Sequence, residues 1–341
     1  MGQRNKAFGA NFGRVIALLG CTALAGCGMA FSDKSTDPQP SPADPMAGIP
    51  RAEQPARCPG EGAALQVLGS GGPIAEAGRA GTSYLLWIDG EAKLLIDAGS
   101  GSFLRFAEAG GKVATLDAIL LTHLHADHAG DVIDILNTGG FEGRTAPLTL
   151  VGPGDAPRFP ATSEFIQRLI AKKGGAFAYN GGYGDGTEGK AQIEVRDIPS
   201  LGGNGEVTPL DVSNDFSVIA YPVDHGPVPA LAYEIEVGDK AVVIAGDQSG
   251  RSLVFQMMLE DASPAILFAH HVINGEQGQP RGLHRTPAEI GQLAGAMKPA
   301  RLVLTHNMER SLSRIEGSLD AIAQSYTGDV SVAADLDCYA L

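Results

Sequence analysis

The feature that most constrains this chain is a run of six residues, His123-Leu124-His125-Ala126-Asp127-His128, which packs three imidazoles and a carboxylate into one short stretch. All eight histidines of the chain fall between residues 123 and 306. An apolar strand candidate at 118–121 stops just before the run, and a helical pattern over 127–137 begins inside it. The cluster is therefore expected in a strand-to-helix loop at the C-terminal edge of a sheet, where α/β proteins gather ligands. In an extended loop the i, i+2 spacing aims His123 and His125 the same way, while Asp127 and His128 turn with the chain toward a second point. This mixture of donors suits Zn²⁺ or a similar borderline ion. The plain alternative is a histidine-rich polar turn.

Around that loop, apolar runs at 65–68, 84–88, 94–96, 148–151, 192–195, 217–221, 231–237, 241–244, 265–268, 301–304 and 330–333 have strand character. Helical patterns intervene at 163–172, 253–260, 287–297 and 316–324. Strand runs followed by strand–helix alternation in both halves predict an α/β fold of mixed sheets flanked by helices, and a layered αββα sandwich is one architecture that fits. Residues 334–338 are expected to form a terminal strand beside the first one.

The first 26 residues read as an export signal: Arg4, Lys6 and Arg14 precede a short apolar stretch with no acidic residue. At about 11 residues that stretch is too short to span a bilayer, which needs about 20. Leu24-Ala25-Gly26-Cys27 resembles the lipobox of bacterial lipoproteins, with Cys27 as the lipidated first residue of the mature chain; an ordinary cleaved signal is the alternative. Residues 27–57 then form a tether carrying Pro38, Pro40, Pro42, Pro45, Pro50 and Pro55, too poor in large apolar residues to build a core. The folded domain is expected over 58–341. It would face the periplasm, anchored to a membrane at Cys27. Of four cysteines it keeps Cys58 and Cys338, which in an oxidising compartment suggest a disulfide, or else two separate buried thiols. The whole chain carries a net charge of −14, and loss of the three basic residues of the signal makes it −17. A field of that sign opposes binding of a nucleic acid polymer.

The hexapeptide resembles the HxHxDH signature of the metallo-β-lactamase fold superfamily, and the resemblance extends over residues 64–341. It is most similar to the ribonuclease Z and arylsulfatase-type branch. The motifs that carry this are Leu68-Gly69-Ser70-Gly71-Gly72-Pro73, Leu95-Ile96-Asp97-Ala98-Gly99, Val223-Asp224-His225-Gly226 followed by Tyr233, Ala245-Gly246-Asp247, Leu283-His284-Arg285-Thr286 and Leu304-Thr305-His306-Asn307. The resemblance implies the four-layer αββα sandwich and two divalent ions, Zn²⁺ or alternatively Mn²⁺ or Fe²⁺. One ion would take His123, His125 and His225, the other Asp127, His128 and His306, with Asp247 bridging. Two such cations can clamp attacking and leaving oxygens and acidify a water. Asp127 would orient or deprotonate that water, and His284 would protonate the leaving oxygen.

The chain departs from that branch in three places. Only 22 residues separate His225 from Asp247, where ribonuclease Z enzymes project a long tRNA-gripping arm. His271 stands where the branch has a glutamate that orients the catalytic histidine; His270 and His271 could line the pocket, support ligands or be purely structural. Residues 172–189, with seven glycines beside Phe177, Tyr179, Tyr183 and Asp185, could form a substrate-facing lid or a surface insertion. The glycines at 69–72 lack the ending of a phosphate-binding loop and are expected to let backbone pass close to the metals. The expected function is a lipid-anchored dimetal hydrolase of a small ester, first a phosphodiester, of cyclic-nucleotide phosphodiesterase or arylsulfatase-like type. Lactone or β-lactam hydrolysis is the alternative within enzymes. A catalytically silent binding protein stabilised by its metals is the alternative outside them.

Overall fold

The computed structural model describes residues 58–273 and 282–341. The export signal 1–26, Cys27 and the tether 27–57 lie outside the described residues. Seven strands, β1 (Ala63–Gly69), β2 (Ser83–Ile88), β3 (Glu91–Ile96), β4 (Ala118–Leu120), β5 (Leu148–Pro153), β6 (Ile193–Ile198) and β14 (Cys338–Ala340), form one sheet in the order β14-β1-β2-β3-β4-β5-β6. The other seven are β7 (Thr208–Leu210), β8 (Ser217–His225), β9 (Val228–Val237), β10 (Lys240–Ile244), β11 (Ile266–His270), β12 (Arg301–Thr305) and β13 (Asp329–Val332). They form a second sheet in the order β13-β12-β11-β10-β9-β8-β7. Each sheet has an antiparallel part and a run of four parallel strands, β3 to β6 in the first and β10 to β13 in the second.

Period-two alternation decides the layers. In β2, Tyr84 and Leu86 join a core shared with Leu231, Tyr233 and Ile235 of β9, so that layer lies between the sheets. Leu85 and Trp87 point the other way, onto Phe106 of α1 (Ser102–Ala109), Ile135 of α3 (Val132–Phe141) and Ile166 of α4 (Thr162–Ile170). On the second sheet, Ala230 and Ala232 likewise face Phe255 of α5 (Leu253–Met258), Leu293 of α6 (Pro287–Met297) and Ile322 of α8 (Ile315–Ala323). The result is the αββα sandwich. Strands buried on both faces read as continuous apolar runs, which is why the sequence marks so many of them.

The differences from the sequence reading have local causes. The helix expected over 127–137 is two, α2 (Ala126–Ala129) and α3, because Asp131 breaks the run: its N–H donates to Ala98 O at 2.8 Å and its carboxylate accepts from Phe103 N at 3.0 Å. The terminal strand is 338–340 and not 334–338. Asp335 instead accepts from Ser70 N at 3.0 Å, Ala80 N at 2.9 Å and Arg105 Nε at 3.1 Å, which turns the chain before β14 pairs with β1. A disulfide joins Cys58 to Cys338, with Cα atoms 5.4 Å apart. The segment from His225 to Asp247 is filled by the β8–β9 hairpin and β10, and Gly226 makes the turn at φ 65°. Among the described residues no helix is long and apolar enough to cross a membrane.

Candidate metal centre

The cluster forms where strand ends from both sheets meet. His123, His125, Asp127 and His128 follow β4, Asp97 follows β3, His225 ends β8, Asp247 follows β10, His270 ends β11 and His306 follows β12. His123 is fully buried, with Nε2 at 2.9 Å from His125 Nδ1 and 3.7 Å from Asp247 Oδ2. His225 donates Nδ1–H to Leu283 O at 3.0 Å, which leaves Nε2 as the lone-pair nitrogen. That atom is buried without a hydrogen-bond partner and lies 3.5 Å from Asp247 Oδ2. Donor atoms of His123, His125, His225 and Asp247 all lie within 4.8 Å of one another.

A second set, His128, Asp247, His270 and His306, meets the same 4.8 Å limit and shares Asp247 with the first. His128 turns Nδ1 onto Asp97 Oδ2 at 2.8 Å, so its buried Nε2 faces Asp127 at 3.5 Å and Asp247 at 3.8 Å. Asp97 also accepts from Thr122 N at 2.7 Å and Thr122 Oγ1 at 2.8 Å; this carboxylate–imidazole pair fixes the ring. Asp127 Oδ2 lies 3.1 Å from His306 Nε2. His306 and Asp97 hold positive φ, 58° and 57°, an unusual backbone state for residues with side chains. A Cβ on Gly72 would meet the His306 ring, which is the close backbone approach expected of that glycine cluster.

Residues 77–306 match the family model described as the metallo-beta-lactamase superfamily. The chain belongs to this superfamily. It is 35% identical to a ribonuclease Z of Mycobacterium sp. (strain KMS) over 186 residues, 54% of this chain and 60% of that protein. A ribonuclease Z of Mycobacterium marinum is 28% identical over 286 residues, 80% of this chain and 96% of that protein. Among solved structures, human tRNase Z, short form, matches with a TM-score of 0.60 at 20% identity, over 81% of this chain and 98% of that one. A diphosphatase of the PhnP family matches with a TM-score of 0.57 at 21% identity, over 82% of this chain and 98% of that one. At these identities the structures speak to the fold.

In this metallo-beta-lactamase chain the donor set fits divalent cations electrostatically. Burial drives His123 well below the ordinary imidazole range, assisted by the neighbouring His128, and keeps it a neutral ligand. Burial opposes ionisation of Asp247 and Asp127, but the surrounding imidazoles win; Asp247 lies well below the carboxylate range and Asp127, bonded to His306, at about 2. His128 is the exception. Burial pushes it down, yet Asp97, Asp127 and Asp247 together hold it at about 9, a charge that a bound cation would replace.

The remaining candidates separate clearly. His284 lies beside the cluster, Nδ1 3.7 Å from Asp247 Oδ1 and ring centroid 5.0 Å from His225, on the wall of a cavity of about 410 Å³ that Asp127, His125, His225 and His306 also line. Burial drops its imidazole to about 3, so the resting ring is neutral. Its place is fixed from the next residues: Arg285 donates to Gln248 Oε1 at 3.0 Å, and Thr286 caps α6 with Glu289. His271 does not orient His284; its Nε2 pairs with Ser318 Oγ at 2.9 Å. His270 is the residue whose role the sequence left open: Nδ1 lies 2.6 Å from Asp247 Oδ1 and Nε2 3.1 Å from the Tyr84 hydroxyl. Asp97 was visible in sequence only as the end of an apolar strand, and a buried acid there is the signal that could have marked it. The 172–189 segment is not a lid over this cavity. Tyr183 is buried against α3, and none of the described residues lining the cavity comes from that segment.

Proposed function

We propose that the chain is a dimetal hydrolase of small phosphodiesters. The observation that carries this reading is the pair of donor sets sharing Asp247 beneath a cavity that also exposes Asp127 and His284. His123, His125 and His225 would hold one divalent ion and Asp127, His128 and His306 the other, with Asp247 between them and Zn²⁺ the first candidate. Such ions supply positive charge to the phosphoryl oxygens and acidify water. Asp127 holds the attacking water through Oδ1 or Oδ2 and takes its proton; His284 hands a proton to the leaving oxygen. His270 and Asp97 orient Asp247 and His128. The relatives named ribonuclease Z act on a polyanion, but a net charge of −17 after processing and the short β8–β9 hairpin in place of an arm favour a small substrate.

The test is a panel on purified protein reconstituted with zinc, manganese or iron: bis(p-nitrophenyl) phosphate, cyclic nucleotides, an aryl sulfate, lactones, a β-lactam and precursor tRNA. Turnover of small phosphodiesters without tRNA cleavage is expected. Turnover of lactones or β-lactams alone would assign the chain to that chemistry, and two bound metals with no turnover at all would make it a binding protein. We further propose export and anchoring at Cys27. Cys27→Ser should abolish labelling by radioactive palmitate and release the protein from the membrane fraction; unchanged processing and fractionation would refute the anchor.

A further inference from the structure

We propose that Arg310 is the specificity-determining group of this cavity, an anion clamp for the phosphoryl oxygens of the substrate; this rests on the phosphodiesterase reading above. Arg310 follows His306 by four residues, on the short helix α7 (Glu309–Leu312), and lines the same cavity as Asp127, Asp247 and His284. Its hydrogen bonding is incomplete. Nη2 donates to Met308 Sδ at 3.4 Å, a weak acceptor, and Nε is buried with no hydrogen-bond partner. Among the described residues no carboxylate pairs with it, whereas Arg251 has Asp224 at 2.7 Å, Arg105 has Asp335 at 3.1 Å and Arg301 has Asp329 at 2.7 Å.

A guanidinium held half-buried in a cavity wall with donors unused is costly until a ligand supplies acceptors. Its planar fork matches two oxygens of a phosphate in a way that a carbonyl of a neutral ester cannot reproduce. The cavity otherwise presents two carboxylates, Asp127 and Asp247, which would repel a phosphodiester anion wherever cations did not offset them. Arg310 adds a permanent positive charge on the substrate side, on a residue that the metal donor sets do not use. Selection of an anionic phosphoryl group over a neutral lactone of similar size is then a property of this one side chain.

The test compares wild type with Arg310→Met and Arg310→Lys, each metal-reconstituted and checked for equal metal content and circular dichroism. Inorganic phosphate binding is measured by calorimetry, and KM is compared for bis(p-nitrophenyl) phosphate and for neutral p-nitrophenyl acetate. Arg310→Met should weaken phosphate binding by about ten- to a hundred-fold, the range for a hydrogen bond to a charged group, and raise KM for the anionic substrate at least about ten-fold more than for the neutral one. Arg310→Lys should restore part of the phosphate affinity, since it keeps the charge and loses the fork; it also carries the comparison if the methionine variant fails to fold. Equal phosphate affinity in wild type and both variants, or equal loss on both substrates, would overturn the clamp. If phosphate binding falls in Arg310→Met but wild type hydrolyses only neutral esters, the phosphodiesterase reading fails while the anion site stands.

Discussion

The two sheets contribute to one site in different ways. The first delivers four side chains from a single loop after β4, consecutive enough that one hexapeptide holds His123, His125, Asp127 and His128. The second delivers His225, Asp247, His270 and His306 singly, each from the end of a different strand. A contiguous loop fixes its residues relative to one another by local backbone geometry alone. Dispersed residues are fixed only when strand register, sheet packing and both helical layers are in place. The first half should therefore be the preformed part of the centre, and the second the part that depends on the fold.

The sharpest way to break this comparison is Asp247→Ala, which removes the one carboxylate common to both donor sets. Activity should fall to background and bound metal from about two ions per chain to at most one, by elemental analysis, as a two-metal site requires. Retention of two ions would show that the halves bind metal independently. His284→Ala comes next. It should keep both metals and lower turnover by about 10²–10⁴, the range of general acid catalysis, with the smallest loss for nitrophenolate leaving groups. Equal loss across leaving groups of very different basicity would remove the acid role. Asp97→Asn weakens the first half through His128 alone, and metal affinity in a chelator competition should drop about 10–100-fold. Unchanged affinity would mean that the loop needs no support from β3. The mildest perturbation is Cys58→Ser with Cys338→Ser, expected to cost about 2–5 kcal/mol in chemical denaturation. Because the bridge lies at the β14–β1 edge, remote from the cluster, metal content should hold; its loss would show that the edge of the first sheet governs the site.

The legibility of the site follows the same division. The hexapeptide declares itself because its donors are adjacent, and Cys58 and Cys338 because few cysteines remain once the signal and anchor are set apart. His225, Asp247, His284 and His306 were readable only through family motifs, since a lone histidine after an apolar strand has no local signature. His270 and His271 show the limit. They are neighbours in sequence, yet strand alternation points one at Asp247 and the other at Ser318, and nothing in the dipeptide says which residue faces the centre.

Sequence by itself determined the strand and helix inventory, because burial on both faces of each sheet demands long apolar runs, and it determined the loop-borne half of the cluster and the acidic, small-substrate character of the chain. Tertiary structure alone decided that Asp97 would lock His128, that His270 would hold Asp247, that the glycine-rich 172–189 segment would pack away from the cavity, and that Arg310 would face it without a carboxylate. These are contacts between residues far apart in the chain, set by which strand ends the two packed sheets bring together. Local propensity and spacing carry no information about such meetings, because they depend on the register and twist of the assembled sandwich.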